Sequence, residues 1–167
     1  MLCYLPLEDA KAPVYTKPKK EGQPLVQGDE LLVQVSREAV KTKQPSVTTK
    51  ISMNGKYLVL TIGNGKLGCS GKLSGAEKAR LRQWGQEQKL PEDLGMIIRT
   101  NASGVAEEDL NTEFVRLMEQ YIYLKGPATH RTACSCVLRA RPAYLSSVLG
   151  SRSNFLKEIL TDDKKIY

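Results

Sequence analysis

Arg99 and Thr100 follow a nearly continuous apolar run, residues 94–98, and precede the small polar stretch 101–104. An apolar run of this length predicts a buried strand, here extending over residues 94–100. A guanidinium fork, a hydroxyl and backbone N–H groups at such a strand end suit a phosphate, which accepts bidentate arginine contacts. The alternative is an arginine that only extends its charged head into solvent.

A glycine-rich run, residues 63–68, matches G-x-G-x-x-G and follows a predicted strand. A dinucleotide site needs a helix that begins at the third glycine. Here two further glycines, Gly71 and Gly75, follow the third, and Ser74 with Glu77 has the capping-box spacing that predicts the helix start. The run, and the stretch around Gly71 and Lys72, therefore fit neither a dinucleotide site nor a P-loop.

The cysteines and the single histidine, His130, do not form a metal or nucleophile signature. Cys3 and Cys69 are isolated, and Cys134 and Cys136 form a C-x-C without the second pair that zinc sites show. We interpret the C-x-C as two small buried hydrophobes. No carboxylate pair makes a convincing catalytic centre, so no catalytic or metal-binding residue is predicted.

The chain has 167 residues and a formal net charge of +7. Its 41% apolar and 26% charged content argues against wholesale disorder. No stretch approaches the ~20 apolar residues of a membrane span, and no signal-peptide core is present. We expect a soluble, cytoplasmic protein whose excess basic charge either binds a polyanion or forms a solvated, lysine-rich surface.

The elements expected in the first third are antiparallel strands with basic loops. They cover residues 2–5, 29–36, 47–53 and 56–62, and Asn54-Gly55 predicts a two-residue hairpin turn. Residues 63–75 are expected to form a flexible loop. Alternation predicts that one face of the second strand buries Leu31, Val33 and Val35, and one face of the third buries Val47, Thr49, Ile51 and Met53.

Two helices dominate the remaining pattern. One is predicted from Ser74 to about Lys89, and the other from the acidic residues 107–109 to Lys125. A short strand at 134–138, a short helix near 142–149 and a final segment at 155–160 follow. The apolar face of the second helix is expected to comprise Leu110, Phe114, Leu117, Tyr121 and Leu124.

The chain resembles the bacterial ribonuclease E/G family in four segments that occur in the same order as in that family. They are residues 28–35, 47–52, 55–60 and 90–100. Residues 4–7 and 158–162 extend the resemblance over nearly the whole chain. It implies a modular endoribonuclease with an OB-fold RNA-binding barrel, a 5′-sensor domain, RNase H-like parts and a separate Mg-dependent catalytic domain.

The resemblance implies an α+β chain: a partial antiparallel OB-type barrel (1–49), a small α/β 5′-sensor (50–130) and an RNase H-like remnant (131–167). Several barrel strands would precede Tyr4. The acidic residues that hold the catalytic magnesium, and a zinc-linking cysteine pair, would lie beyond Tyr167. We therefore expect an RNA-recognition fragment that holds no cofactor and does not cleave RNA by itself.

Four residues match positions of the family's 5′-sensor pocket. Arg99 and Thr100 match the pair that binds a 5′-terminal monophosphate, and Gly55 and Val59 match positions beside it. A glycine lets a nucleotide approach the backbone, and Val59 can offer an apolar contact to the terminal base. The implied partner is single-stranded RNA, preferably with a 5′-monophosphate.

Outside that pocket, Tyr4 matches an aromatic of the barrel's RNA-binding face, where stacking is worth ~1–3 kcal/mol per base, and Lys43 matches a cation near the RNA path. The family often has two basic residues after the glycine-rich loop, where this chain has Gly71 and Lys72. We expect no membrane partner. The full-length protein could form a homo-oligomer. The alternatives are a non-enzymatic β-rich adaptor that binds proteins and a complete small enzyme.

Overall fold

The computed structural model describes residues 2–17, 19 and 23–139. The chain divides into two compact units, residues 1–137 and 138–167, and the elements below belong to the first. No helix within the described residues is long and apolar enough to cross a bilayer. The elements are β1 (Gln34–Arg37), β2 (Ser46–Thr48), β3 (Ser52–Asn54), β4 (Leu58–Ile62), β5 (Leu67–Cys69), α1 (Gly75–Glu87), β6 (Leu94–Ile98) and α2 (Glu107–Lys125).

The strands form two sheets, so the mixed α+β class is confirmed, while the described residues contain no closed barrel. β1 and β2 pair antiparallel in a two-stranded sheet with a bulge between Val35 and Arg37. The other four strands lie in the order β3-β4-β6-β5, and only β5 and β6 run parallel. The assignment to an OB fold and a sensor domain, and the predicted boundaries, stay predictions.

One face of the four-stranded sheet packs against both helices, because side chains alternate along each strand. In β4, Leu58, Leu60 and Ile62 are buried, and in β6 Met96 and Ile98 are buried. These side chains share a single core with residues of α1 and α2. The core therefore lies on one side of the sheet and leaves the other side open.

Both predicted helices are confirmed. α1 begins after Ser74, but the Ser74 side chain makes no capping hydrogen bond. Glu77 instead accepts hydrogen bonds from Arg80 Nε (3.1 Å) and from the backbone N–H of Gly104 (2.7 Å). Its carboxylate thus joins the first turn of α1 to the loop before α2, and the expected reciprocal capping box is absent.

The strand predicted over residues 47–53 is broken into β2 and β3. Its predicted inner residues Val47, Thr49, Ile51 and Met53 are all buried, as expected. At the break the backbone N–H of Thr49 donates to the carbonyl of Asp9 at 3.1 Å, and the buried Thr49 hydroxyl lies 2.8 Å from that carbonyl and 2.7 Å from the carbonyl of Lys11. A strand that bonds a neighbouring loop in this way cannot continue its ladder there.

Two earlier strands are shorter than predicted. Residues 2–5 form only a bridge between Tyr4 and Ser46, since Pro6 lacks an N–H and the 3-10 turn Leu7–Asp9 follows. The strand at 29–36 is limited to β1, and Leu32 is buried there instead of Val33 and Val35. Leu32 is held inward because its N–H donates to the carbonyl of Val14 at 2.9 Å.

The predicted flexible loop at 63–75 contains a strand, β5, which pairs parallel with β6. One of its glycines, Gly65, lies directly against the segment that leads into β6. A Cβ at Gly95 would overlap the carbonyl oxygen of Asn64, and a Cβ at Gly65 would overlap that of Glu92. Close backbone packing therefore explains the glycines at positions 65 and 95.

The strand predicted at 134–138 is wrong, since these residues form turns and bends. Cys134 has a positive φ of 62°, which is incompatible with an extended strand. Cys134 and Cys136 are exposed, so their interpretation as buried hydrophobes is also wrong. The helix predicted near 142–149 and the segment at 155–160 lie outside the described residues.

Tyr121 is expected to ionise near pH 12. Its hydroxyl donates to Asp93 Oδ1 at 2.7 Å. Burial, followed by the hydrogen bond and charge of Asp93, raises the pKa of Tyr121 to about 12. Because an unfolded tyrosine ionises near pH 10, its contribution to stability is complete below pH 10 and is lost as the pH rises toward 12.

The difference in tyrosinate absorbance between the wild type and Tyr121→Phe measures this titration. We expect a midpoint near 12 in the folded protein. A midpoint near 10 in the folded protein would contradict the role of the Asp93 contact.

Candidate nucleic-acid interface

Arg99 and Thr100 lie immediately after β6, which ends two residues before the predicted strand end. The Arg99 N–H donates to the carbonyl of Tyr57 at 2.8 Å, and its side-chain Nη1 donates to the carbonyl of Gly55 at 2.7 Å. Within the described residues this is the one side-chain hydrogen bond of Arg99, and it engages neither Nε nor Nη2. The guanidinium is thus held at a defined place at the end of the sheet.

The Thr100 side chain is fixed by a serine that sequence analysis missed. Ser70, which follows β5, has its Oγ 2.8 Å from Thr100 Oγ1, and its backbone N–H donates to the carbonyl of Ile98 at 2.8 Å. The N–H of Lys72 also donates to Ser70 Oγ at 3.3 Å. The parallel pairing of β5 with β6 therefore places Ser70, Lys72 and Thr100 together beside Arg99.

The hairpin between β3 and β4 forms, but its turn differs from the predicted two-residue turn. Asn54 pairs with Val59, and the Gly55 N–H donates to the carbonyl of Leu58 at 2.8 Å, so the turn is centred on Lys56 and Tyr57 instead of Asn54 and Gly55. The cause is Glu113 on α2, whose carboxylate accepts hydrogen bonds from the N–H groups of Lys56 (2.8 Å), Tyr57 (2.7 Å) and Leu58 (2.8 Å). A turn centred on Asn54 and Gly55 would place these three N–H groups in the returning strand and not toward one acceptor.

Val59 lies on the sheet face that the helices leave open. It pairs with Ile97, which is 45% exposed, and Ile97 pairs with Gly68. Arg99 comes two residues after Ile97 in extended conformation, and alternation places both on the same face. The open face therefore carries an apolar patch of Val59 and Ile97 beside the Arg99 guanidinium.

Tyr4 and Lys43 lie apart from this group, at the two-stranded sheet. Tyr4 is 59% exposed, and its N–H donates to the carbonyl of Pro45 at 2.9 Å. Lys43 is exposed in the loop that joins β1 and β2, and its N–H donates to the carbonyl of Val40 at 2.9 Å. An aromatic ring and a cation thus lie on the surface near one loop.

Two residues of the site, Ser70 and Glu113, were not predicted. Glu113 had a usable signal, because it stands three residues after Leu110 and four before Leu117, within the apolar stripe of α2. Ser70 had none. Next to it, burial raises the pKa of the Cys69 thiol despite the opposing effect of Arg82 and Lys78, so this cysteine is not an activated nucleophile.

A cavity of about 280 Å³ lies elsewhere, between residues 29–33 and 128–137. None of the seven predicted site residues lines it. Its walls are mainly apolar, which does not favour the binding of a phosphate.

Gly55→Ala is expected to destabilise the protein by about 2 kcal/mol. A Cβ at Gly55 would overlap the Glu113 carboxylate, and a shift of this group weakens hydrogen bonds to a charged acceptor, each worth ~1.5–3 kcal/mol. Urea unfolding followed by circular dichroism measures the loss. Gly75→Ala is the control, since its Cβ meets open space at the start of α1; equal stabilities of the two variants would refute the crowding argument.

Comparison with known proteins gives consistent matches. A profile described as the ribonuclease E/G family matches residues 52–167. The chain is 30% identical over 150 residues to ribonuclease E of Escherichia coli, covering 85% of the chain, and 28% identical over 144 residues to that of Haemophilus influenzae, covering 86%. It spans only 14% and 15% of these two relatives. Ribonuclease G of Salmonella typhimurium is 40% identical over 88 residues, which cover 52% of the chain and 18% of that protein.

Proposed function

Because the chain belongs to the ribonuclease E/G family, we propose that it is the part of an RNA-processing endoribonuclease that binds single-stranded RNA and senses a 5′-monophosphate. The observation that carries this proposal is the fixed pair at the end of β6. Arg99 Nη1 is held at 2.7 Å from the Gly55 carbonyl, and Thr100 Oγ1 lies 2.8 Å from Ser70 Oγ.

The terminal phosphate binds to Arg99 and Thr100. The Nε and Nη2 groups of Arg99 form the fork that matches two phosphate oxygens, and the Thr100 hydroxyl donates a further hydrogen bond. The backbone N–H of Lys72 donates to Ser70 Oγ at 3.3 Å, which brings Lys72 close to Thr100. We call Arg99 and Thr100 the phosphate clamp. A 5′-hydroxyl end lacks the charge that this clamp binds. A 5′-triphosphate places two more phosphates at the position that the first sugar occupies in a monophosphate RNA.

The first nucleotide then lies along the open sheet face. Val59 is beside the clamp and offers its base an apolar contact. Farther along the RNA, Tyr4 provides a stacking surface and Lys43 a charge near the backbone. In this assignment the two-stranded sheet belongs to a partial OB-type RNA-binding domain, and the four-stranded sheet with α1 and α2 is the 5′-sensor.

The proposal covers RNA recognition and includes no cleavage step. The family implies a magnesium-dependent catalytic domain, but the described residues bring together no group of three or more His, Cys, Asp or Glu that could hold a metal ion. The ribonuclease activity therefore belongs, in this proposal, to the larger protein, of which the chain matches about one seventh.

Fluorescence anisotropy with one labelled oligoribonucleotide carrying a 5′-hydroxyl, 5′-monophosphate or 5′-triphosphate tests this function. We expect the monophosphate RNA to bind about tenfold more tightly than the hydroxyl RNA, which corresponds to ~1.4 kcal/mol. Affinity for all three should fall steeply with salt, with a slope near −0.7 per neutralised phosphate. Equal affinities refute the sensor assignment, and no RNA binding at moderate salt favours a protein-binding adaptor.

A further inference from the structure

Glu113 is a buried carboxylate whose hydrogen bonds all go to one loop. It lies in the middle of α2 and is 8% exposed. Its two oxygens accept from three consecutive backbone N–H groups, residues 56–58, at 2.7–2.8 Å. Arg116 Nη2, at 3.8 Å from Oε2, offsets part of its charge. A carboxylate that is buried and saturated in this way holds its donors in one geometry.

The loop that Glu113 holds is the same loop that holds Arg99. The Gly55 carbonyl accepts from Arg99 Nη1, and the Tyr57 carbonyl accepts from the Arg99 N–H. Gly55 also lies so close to Glu113 that a Cβ there would overlap the carboxylate. One carboxylate thus sets the position of both carbonyls that orient the arginine.

From these contacts we infer that Glu113 is a positioning residue for 5′-phosphate binding, and that it acts through Arg99 without touching RNA. Without the carboxylate, Asn54-Gly55 relaxes toward the tight turn that its sequence favours, and the Gly55 carbonyl moves away from Nη1. Arg99 then samples other rotamers, and ordering it on binding costs affinity. This inference rests on the proposed function.

The test measures the ratio of affinities for 5′-monophosphate and 5′-hydroxyl RNA. In Glu113→Gln, one oxygen becomes an NH₂ that faces a backbone N–H, so at least one bond is lost. We expect the ratio to fall about fivefold, whereas the affinity for hydroxyl RNA stays unchanged. Combined with Arg99→Gln, Glu113→Gln should cause no further fall, because both act through one group. Leu117→Ala, a buried change on the same helix, controls for general destabilisation and should leave the ratio unchanged.

An unchanged ratio in folded Glu113→Gln, or a fall that multiplies with that of Arg99→Gln, overturns the inference. Should Glu113→Gln not fold, Glu113→Asp decides alone: its shorter carboxylate should lower the ratio, and a wild-type ratio overturns the inference. The two proposals fail differently. A wild-type protein that does not distinguish the RNA ends refutes the proposed function itself, whereas a wild-type preference that Glu113 does not affect refutes only the positioning role.

Discussion

Arg99→Gln is expected to remove most of the preference for a 5′-monophosphate. The guanidinium supplies both the charge and the forked donors that a phosphate accepts, and hydrogen bonds to charged groups are worth ~1.5–3 kcal/mol. The affinity for monophosphate RNA should therefore fall by up to about tenfold, to near that for hydroxyl RNA. The affinity for hydroxyl RNA should change little, since that RNA has no charge at this position. Anisotropy titrations with the two RNAs give both values.

The control for charge alone is Arg131→Gln, which removes the same charge from an exposed residue that follows the 3-10 turn Pro127–His130. We expect it to lower the affinities for both RNAs by the same small factor and to preserve the ratio of the two affinities. A wild-type ratio in Arg99→Gln, or an equal loss of ratio in Arg131→Gln, would show that the preference arises elsewhere.

Gly95→Ala is expected to destabilise the protein by about 3 kcal/mol or more. A Cβ there overlaps the carbonyl oxygen of Asn64 and lies 3.0 Å from that of Lys66. These are backbone atoms, and they cannot move freely because the Gly63 N–H donates to Asp93 O and the Met96 N–H donates to Lys66 O. A loss of this size is a large share of the ~5–15 kcal/mol of a typical domain.

Gly71→Ala is the matched control, because its Cβ meets open space and no positive φ is required. This change should be neutral or stabilise the protein by ~0.4–1 kcal/mol through the unfolded chain. Urea unfolding of both variants by circular dichroism gives the comparison. If Gly95→Ala is as stable as Gly71→Ala, the close packing of residues 63–66 against 92–95 is wrong.

The helices were predictable because their signals are local. In α2 the apolar spacing, the acidic first turn and the Gly126-Pro127 end all lie within one stretch of chain. β5 was not, because its pairing with β6 depends on residues about 30 positions away. The glycines near it indicated flexibility by composition, whereas Gly65 serves a backbone contact that only the folded chain reveals.

The candidate site divides in the same way. Arg99 and Thr100 at a strand end could be found from the sequence, and the family resemblance added Gly55 and Val59. Ser70 could not, since its role follows from the register of β5. Glu113 lies far in sequence from the loop it binds, and the strong turn preference of Asn54-Gly55 hid a turn centred two residues later. The one sequence signal for Glu113 was its position as a polar residue within the apolar stripe of α2.

The most direct test of the phosphate clamp is a ¹⁵N–¹H NMR titration of the chain with a short oligoribonucleotide bearing either a 5′-monophosphate or a 5′-hydroxyl. We predict that the Arg99 Nε–H signal and the Thr100 amide shift with the phosphorylated RNA and stay in place with the hydroxyl RNA. Signals near Tyr4 and Lys43 should shift with both. Arg99 and Thr100 signals that stay unchanged, or that shift equally with both RNAs, would contradict the clamp.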